Sequence, residues 1–146
     1  MGYGIMTDSE YMDIAMELAR KAGKKGDVPV GAVIVKDGKI LAKTYNMKNK
    51  KRNPIYHAEM IAINKACKKV KNFRLENCDI YVTKEPCIMC LGAILSARMR
   101  KVYYGAKDKK YSNLDNISFN HRCEYIDMKR HDCSEILEKF FKERRK

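Results

Sequence analysis

Two short segments hold the residues best able to do chemistry: His57-Ala58-Glu59 and Pro86-Cys87-Ile88-Met89-Cys90. Cys87 and Cys90 stand three residues apart where a helix is expected to start, so both sulfurs face one way. The positive end of that helix stabilises thiolates, the form of cysteine that binds metal. His57 is expected to begin another helix, and neighbouring antiparallel or crossing helices can bring its imidazole to the same point. Structural zinc usually has four ligands, whereas one histidine and two cysteines leave a position for water. Zinc lowers the pKa of that water toward neutrality and makes it a nucleophile. Glu59, two residues past a ligand, is placed to take the proton, pass it to a ring nitrogen and assist a departing amine. The sum is hydrolysis of an amidine-like carbon, with ammonia as product.

Each piece alone says little. A lone C-x-x-C is as often a redox pair or half of a structural zinc knuckle, a lone H-x-E is close to noise, and two core cysteines would look the same. Together they say more, because both segments sit at helix starts that follow a strand and a loop.

The elements around them are read from apolar periodicity. A first helix is expected from an N-cap at Asp8 or Ser9, with Tyr11, Ala15, Leu18, Ala19 and Ala22 on one stripe, ending at Gly23 and Gly26. Val30 to Val35 reads as a buried strand, Asp37-Gly38 as a tight turn and Ile40 to Tyr45 as the returning strand. The basic stretch Lys48 to Arg52 is expected as a loop, closed by Asn53-Pro54. Further helices follow from His57 to Val70, with Ala58, Ile61, Ala62 and Ala66 inward, and from Pro86, in the first turn, to Arg98. Strands are expected at Cys78 to Thr83, Lys101 to Tyr104 and Cys123 to Met128, and a closing helix at Cys133 to Arg145. This order predicts one α/β domain over 1–146, a three-layer α/β/α sandwich around a mixed sheet of about five strands.

Composition narrows the class. At 146 residues the chain suits one domain, and at 45% hydrophobic and 34% charged it reads as globular. No apolar run approaches the roughly 18 residues of a membrane span. Asp8, Glu10 and Asp13 stand where a signal peptide would be basic and then apolar, so the cytoplasm is the expected compartment. Six cysteines are then metal ligands or core thiols instead of disulfides, with Cys67, Cys78, Cys123 and Cys133 expected in the core. A net charge of +13 points to a polyanionic partner, although only nine of the 31 basic residues are arginine. Phe73 and Phe140 are expected in the core and His131 on the surface. His121 is open to a substrate or a fold-supporting role.

H-x-E followed by P-C-x-x-C is the signature of the zinc-dependent nucleobase deaminases, and nearly the whole chain resembles the bacterial tRNA adenosine deaminases. That family converts the wobble adenosine of an anticodon to inosine. The likeness runs through Val28-Pro29-Val30-Gly31-Ala32-Val33, Asn72-Phe73-Arg74-Leu75, Tyr81-Val82-Thr83, Glu85-Pro86-Cys87, Tyr104-Gly105-Ala106-Lys107-Asp108, Asn120-His121-Arg122 and Phe140 to Arg145. The resemblance implies one Zn2+ per chain on His57, Cys87 and Cys90, with Glu59 as the proton carrier. It implies a pocket for a flipped nucleotide lined by Asn46, the Ala58 backbone and Asp108. Phe141, Arg144 and Arg145 would grip the tRNA anticodon arm, and the enzyme would be a homodimer with composite active sites. The chain departs from the family in a short loop at Lys109 to Leu114, in Ile55-Tyr56 before His57, and in Lys84 where an apolar residue is usual. Met89 to Ile94 also occurs in much the same form in guanine deaminases of the same fold.

Two other readings stand beside this one. A deaminase of a free base or nucleoside, of guanine or cytosine type, needs no phosphate grip, and the basic Lys142 to Lys146 argues against it. A nucleic-acid-binding module with structural zinc has no use for Glu59.

Overall fold

The computed structural model describes residues 6–110, 112, 114 and 117–144. The elements, in chain order, are α1 (Asp8–Lys24), β1 (Gly31–Lys36), β2 (Lys39–Tyr45), α2 (Lys48–Lys51), α3 (Ala58–Val70), β3 (Cys78–Lys84), α4 (Ile88–Ser96), β4 (Lys101–Ala106), β5 (Glu124–Asp127) and α5 (His131–Arg144). The strands form one mixed sheet in the order β2-β1-β3-β4-β5. β1 runs antiparallel to β2 and β3, while β3, β4 and β5 run parallel. Helices α1 and α5 touch each other on one face, and α3 and α4 on the other. The expected three-layer sandwich is therefore present.

The N-cap of α1 is neither Asp8 nor Ser9. Thr7 is the N-cap: its hydroxyl accepts the Glu10 amide at 3.1 Å, and its own amide donates to the Glu10 carboxylate at 2.9 Å. This reciprocal box satisfies two otherwise orphaned donors. Asp8 is thereby left to accept the Tyr81 hydroxyl at 2.5 Å. Tyr81 lies in a ring column across the α1 face of the sheet, 5.0 Å from Tyr11 and stacked on Tyr103 at 4.4 Å.

Asp37 and Gly38 have φ of 49° and 78° and link strands paired from Lys36 to Lys39, as a primed two-residue turn requires. Lys48 to Lys51 form one helical turn instead of a loop. The cause lies outside the segment: the buried Asp27 carboxylate accepts the Asn49 amide at 2.7 Å and the Lys50 amide at 3.2 Å, capping the turn from a distance. Pro86 precedes the N-cap of α4 and is not inside its first turn.

Cys78, Cys123 and Cys133 are buried as expected, and Cys67 is half-buried. Phe73 is not a core residue: it is 76% exposed, with the Arg74 guanidinium 5.8 Å from its ring centre. Phe140 is half-buried. His121 supports the fold, its Nε2 lying 2.7 Å from the Met99 carbonyl oxygen, and His131 is at the surface beside Glu135.

Gly31 sets how closely α1 approaches the sheet. A β-carbon there would overlap the Ala15 carbonyl oxygen and come within 2.8 Å of the Ala19 amide nitrogen. Both obstacles are helix backbone, which cannot rotate aside. Gly31→Ala should therefore lower stability by about 1–3 kcal/mol or more, read as a lower urea midpoint with an unchanged slope. An unshifted midpoint would mean that α1 is not held this close.

Candidate active site

Two helix N-termini converge at one end of the sheet. His57 is the N-cap of α3 and Cys87 the N-cap of α4, and neither is held by a side-chain capping bond. Their extended backbones aim both side chains outward, and Cys90, in the first turn of α4, joins them. The His57 Nδ1 lies 3.7 Å from the Cys87 sulfur and 3.5 Å from the Cys90 sulfur. All three donor atoms fall within 4.8 Å of one another. Tetrahedral zinc bonds of roughly 2.0 Å to nitrogen and 2.3 Å to sulfur put such donors about 3.6 Å apart. The donor set and its spacing fit one zinc ion. Among the described residues no further His, Cys, Asp or Glu joins this group, so the set could hold a metal and leave one position open.

The electrostatics suit cation binding. The Cys90 hydrogen bond, with His57 behind it, pulls the Cys87 thiol down to about 3. The Cys87 thiolate and burial push the Cys90 thiol up. Its hydrogen bond to Cys87 raises the pKa of His57. Glu59, in the first turn of α3, is only 4% exposed, and burial raises its pKa. A carboxyl held in this way can be protonated and deprotonated within one reaction cycle.

Above the cluster lies a cavity of about 210 Å³. It is smaller than the roughly 300–1,000 Å³ of pockets for drug-sized ligands, and so suits one base instead of a whole nucleotide. His57, Ala58, Glu59 and Cys87 line its inner end, and Asn46, Lys48, Lys84, Glu85 and Phe141 complete its walls with Val28 and Val30. A larger cleft of about 800 Å³ lies alongside, lined by Asp108, Lys110, Arg130 and their neighbours. It contains none of the three donors, so its size does not make it the site of chemistry.

The structure thus brings Asn46, His57, Ala58, Glu59, Cys87 and Phe141 to one cavity, from elements spread over the whole chain. Asn46 is held at both ends of its amide, donating to the Val28 carbonyl at 3.2 Å and accepting the Lys48 amide at 3.0 Å. Asp108 is not among the lining residues. It lies beyond Lys84, whose ammonium it binds at 2.9 Å. Arg144 reaches back to the loop after α1, donating to the Gly26 carbonyl at 2.9 Å, with its guanidinium 4.7 Å from the Phe140 ring centre. Arg145 lies outside the described residues.

Sequence reasoning passes over Glu85. It is 2% exposed and accepts the Asp108 amide at 3.1 Å and the Ser112 hydroxyl at 2.7 Å, anchoring the loop beside the cavity. The available signal is an acid placed directly after a run of buried strand residues.

The comparisons with known proteins agree with this geometry. The MafB19-like deaminase family matches residues 6–145. A tRNA-specific adenosine deaminase of Aquifex aeolicus (strain VF5) is 41% identical over 142 residues, spanning 92% of this chain and 94% of its own. A chain from biochemical and structural studies of A-to-I editing by tRNA:A34 deaminases at the wobble position of transfer RNA superposes with a TM-score of 0.84. It is 35% identical and covers 88% of this chain and 99% of that one. A guanine deaminase from Bacillus subtilis gives a TM-score of 0.70 at 32% identity, covering 97% and 96% of the two chains. The chain is a hydrolytic deaminase of the MafB19-like deaminase family and belongs to the same family as the tRNA-specific adenosine deaminases.

Proposed function

We propose that this chain hydrolyses adenosine to inosine at the wobble position of a tRNA anticodon loop, releasing ammonia. The observation that carries this reading is the cavity itself. A base-sized chamber is lined by Glu59 and by the His57 and Cys87 donors, with Cys90 beside them, and two lysines and Phe141 complete its walls. A nucleobase turned out of its stack fits such a chamber, while a cationic and aromatic rim suits the strand left outside. The activity named for the Aquifex relative supports the same substrate.

In this reading His57, Cys87 and Cys90 hold one zinc per chain. A bound zinc supplies Lewis-acid chemistry that brings the pKa of water near neutrality. Glu59 moves the protons: it takes one from the attacking water, delivers it to N1 of adenine as oxygen adds to C6, and carries the next to the departing amine. Its raised pKa serves a group that must be protonated midway. The Ala58 amide, first in α3 and without an intrahelical acceptor, and the Asn46 amide face the base and its sugar. Phe141 stacks on a flanking base, and Arg144, Arg145 and the Lys48 to Arg52 segment contact phosphates. Asp108 borders the strand outside the chamber. The enzyme works in the cytoplasm on the anticodon arm, as a homodimer with composite sites. Exposed Ile55 and Ile88, next to His57 and Cys87, are apolar surface that a second copy would cover.

Three measurements test this function. Zinc analysis of the purified protein should give about one ion per chain, and the double variant Cys87→Ser/Cys90→Ser should hold none; full occupancy in that variant would remove the cluster from consideration. Glu59→Ala should keep zinc and RNA affinity yet lose about 10²–10⁴-fold in turnover. More than a tenth of the wild-type rate would exclude it as the proton carrier. Mass spectrometry after incubation with an anticodon-arm RNA should show a gain of about one dalton at the wobble adenosine, with affinity falling steeply as salt rises. Free adenosine, cytidine and guanine should react little, because the remote contacts that position C6 are missing. Faster turnover of free guanine than of the arm would favour the guanine deaminase reading.

A further inference from the structure

Lys84 ends β3 with its side chain in the wall of the base-sized cavity, and its ammonium binds Asp108 at 2.9 Å. It is neither a surface lysine nor a buried one, since its side chain is 30% exposed. The Asp108 carboxylate is itself anchored. Its backbone amide donates to the buried Glu85, and its Oδ1 accepts the Lys110 amide at 2.9 Å. The ammonium is therefore held in place from one side, while an ammonium carries three donors. On the cavity wall formed by another element stands Lys48, whose backbone is fixed by the Asn46 side chain. Among the described residues the Lys48 ammonium has no acidic partner. Two cations from separate elements thus share a chamber too small for a whole nucleotide.

A base that fills the chamber leaves its sugar and its two flanking phosphodiesters at the mouth. We infer that Lys84 is a phosphate-binding residue of the substrate site, forming with Lys48 a clamp that holds the two phosphodiesters on either side of the inserted nucleotide. Asp108 serves the clamp by aiming the Lys84 ammonium and limiting its freedom, so that less entropy is lost when the phosphate arrives. The chemical class selected is an internal nucleotide of a single strand, over a free base or nucleoside that lacks both charges. This inference rests on the polynucleotide substrate proposed above.

The test uses the full chain with zinc bound, an anticodon-arm stem-loop, and two further arms. Each further arm carries one neutral methylphosphonate, either 5′ or 3′ of the target adenosine. Lys84→Met and Lys48→Met should each raise KM for the normal arm roughly ten-fold, the size of one charged hydrogen bond. Each should also lower the slope of log affinity against log salt by about 0.7. A role confined to pairing with Asp108 would leave that slope where it is. Each methylphosphonate should cost the wild type a similar factor, and the loss should vanish in the one variant whose lysine meets that phosphate. The clamp is overturned if the wild type deaminates the arm but both variants keep its KM and salt slope, or if every methylphosphonate loss simply adds to the variant loss. Failure of the substrate reading looks different, because the wild type itself would then leave all three arms unreacted.

Discussion

The constraint on which everything else depends is that three donor atoms from two separate helices must meet within a few ångströms of one point. Two helix starts have to be aimed and then held. The Thr44 hydroxyl donates to the Ala58 carbonyl at 2.6 Å, fixing the start of α3 against β2. The Glu85 amide donates to the Ala106 carbonyl at 2.8 Å, fixing the turn before α4 against β4. The central strands β1 and β3 lie between these two anchors, with most of their residues buried. Donor geometry is thus set by the most deeply packed part of the sheet. Because His57 and Cys87 stand at N-cap positions, the same backbone that ends each helix also points its side chain at the shared centre.

Charge is sorted in a way that follows from this. Within a chain of net charge +13, three of the four buried acids among the described residues do structural and chemical tasks close to the site, and the fourth, Asp79, pairs with Arg100. Asp27 caps α2, Glu85 anchors the Asp108 loop, and Glu59 sits against the donors. Each buried carboxylate meets amide, hydroxyl or guanidinium donors, or has its pKa raised, which is how a low-dielectric interior tolerates it. Lysine and arginine outnumber the acids 31 to 18, so the basic groups leave an excess of positive charge outside. A small acidic and thiolate-lined interior under a cationic mouth separates the chemistry from the grip on the strand.

Much of this was legible in the sequence, for identifiable reasons. Buried strands and amphipathic helices declare themselves by period, and Asp37-Gly38 declares its turn because its backbone angles suit few other residue pairs. The donor set and Glu59 were legible because ligand spacing at a helix start is local. What stayed hidden depends on partners distant in the chain. Lys48 to Lys51 look like a loop because the carboxylate that caps them belongs to Asp27. That Arg144 donates to the Gly26 carbonyl is hidden as well, because its acceptor lies at the far end of the molecule's first helix. Asp108 matches a pocket residue by motif, yet it lines the larger cleft, with its amide on the buried Glu85 and its carboxylate on Lys84. Phe73 has the hydrophobicity of a core residue but sits exposed in the turn between α3 and β3, with Arg74 beside its ring.

The tyrosine column on the α1 face gives the molecule an optical property of its own. The chain has nine tyrosines and no tryptophan, so its near-ultraviolet emission comes from phenol rings. One of those rings, Tyr81, lies flat against Tyr103 and shares its hydroxyl proton with the Asp8 carboxylate. A carboxylate that accepts a phenolic proton quenches the excited ring, and a parallel neighbour at 4.4 Å gives its energy a second route of loss. Lifting α1 from the sheet would part Tyr81 from that carboxylate and should raise its emission. The seating of the first helix thus has its own intrinsic light signal, with no added dye or engineered probe.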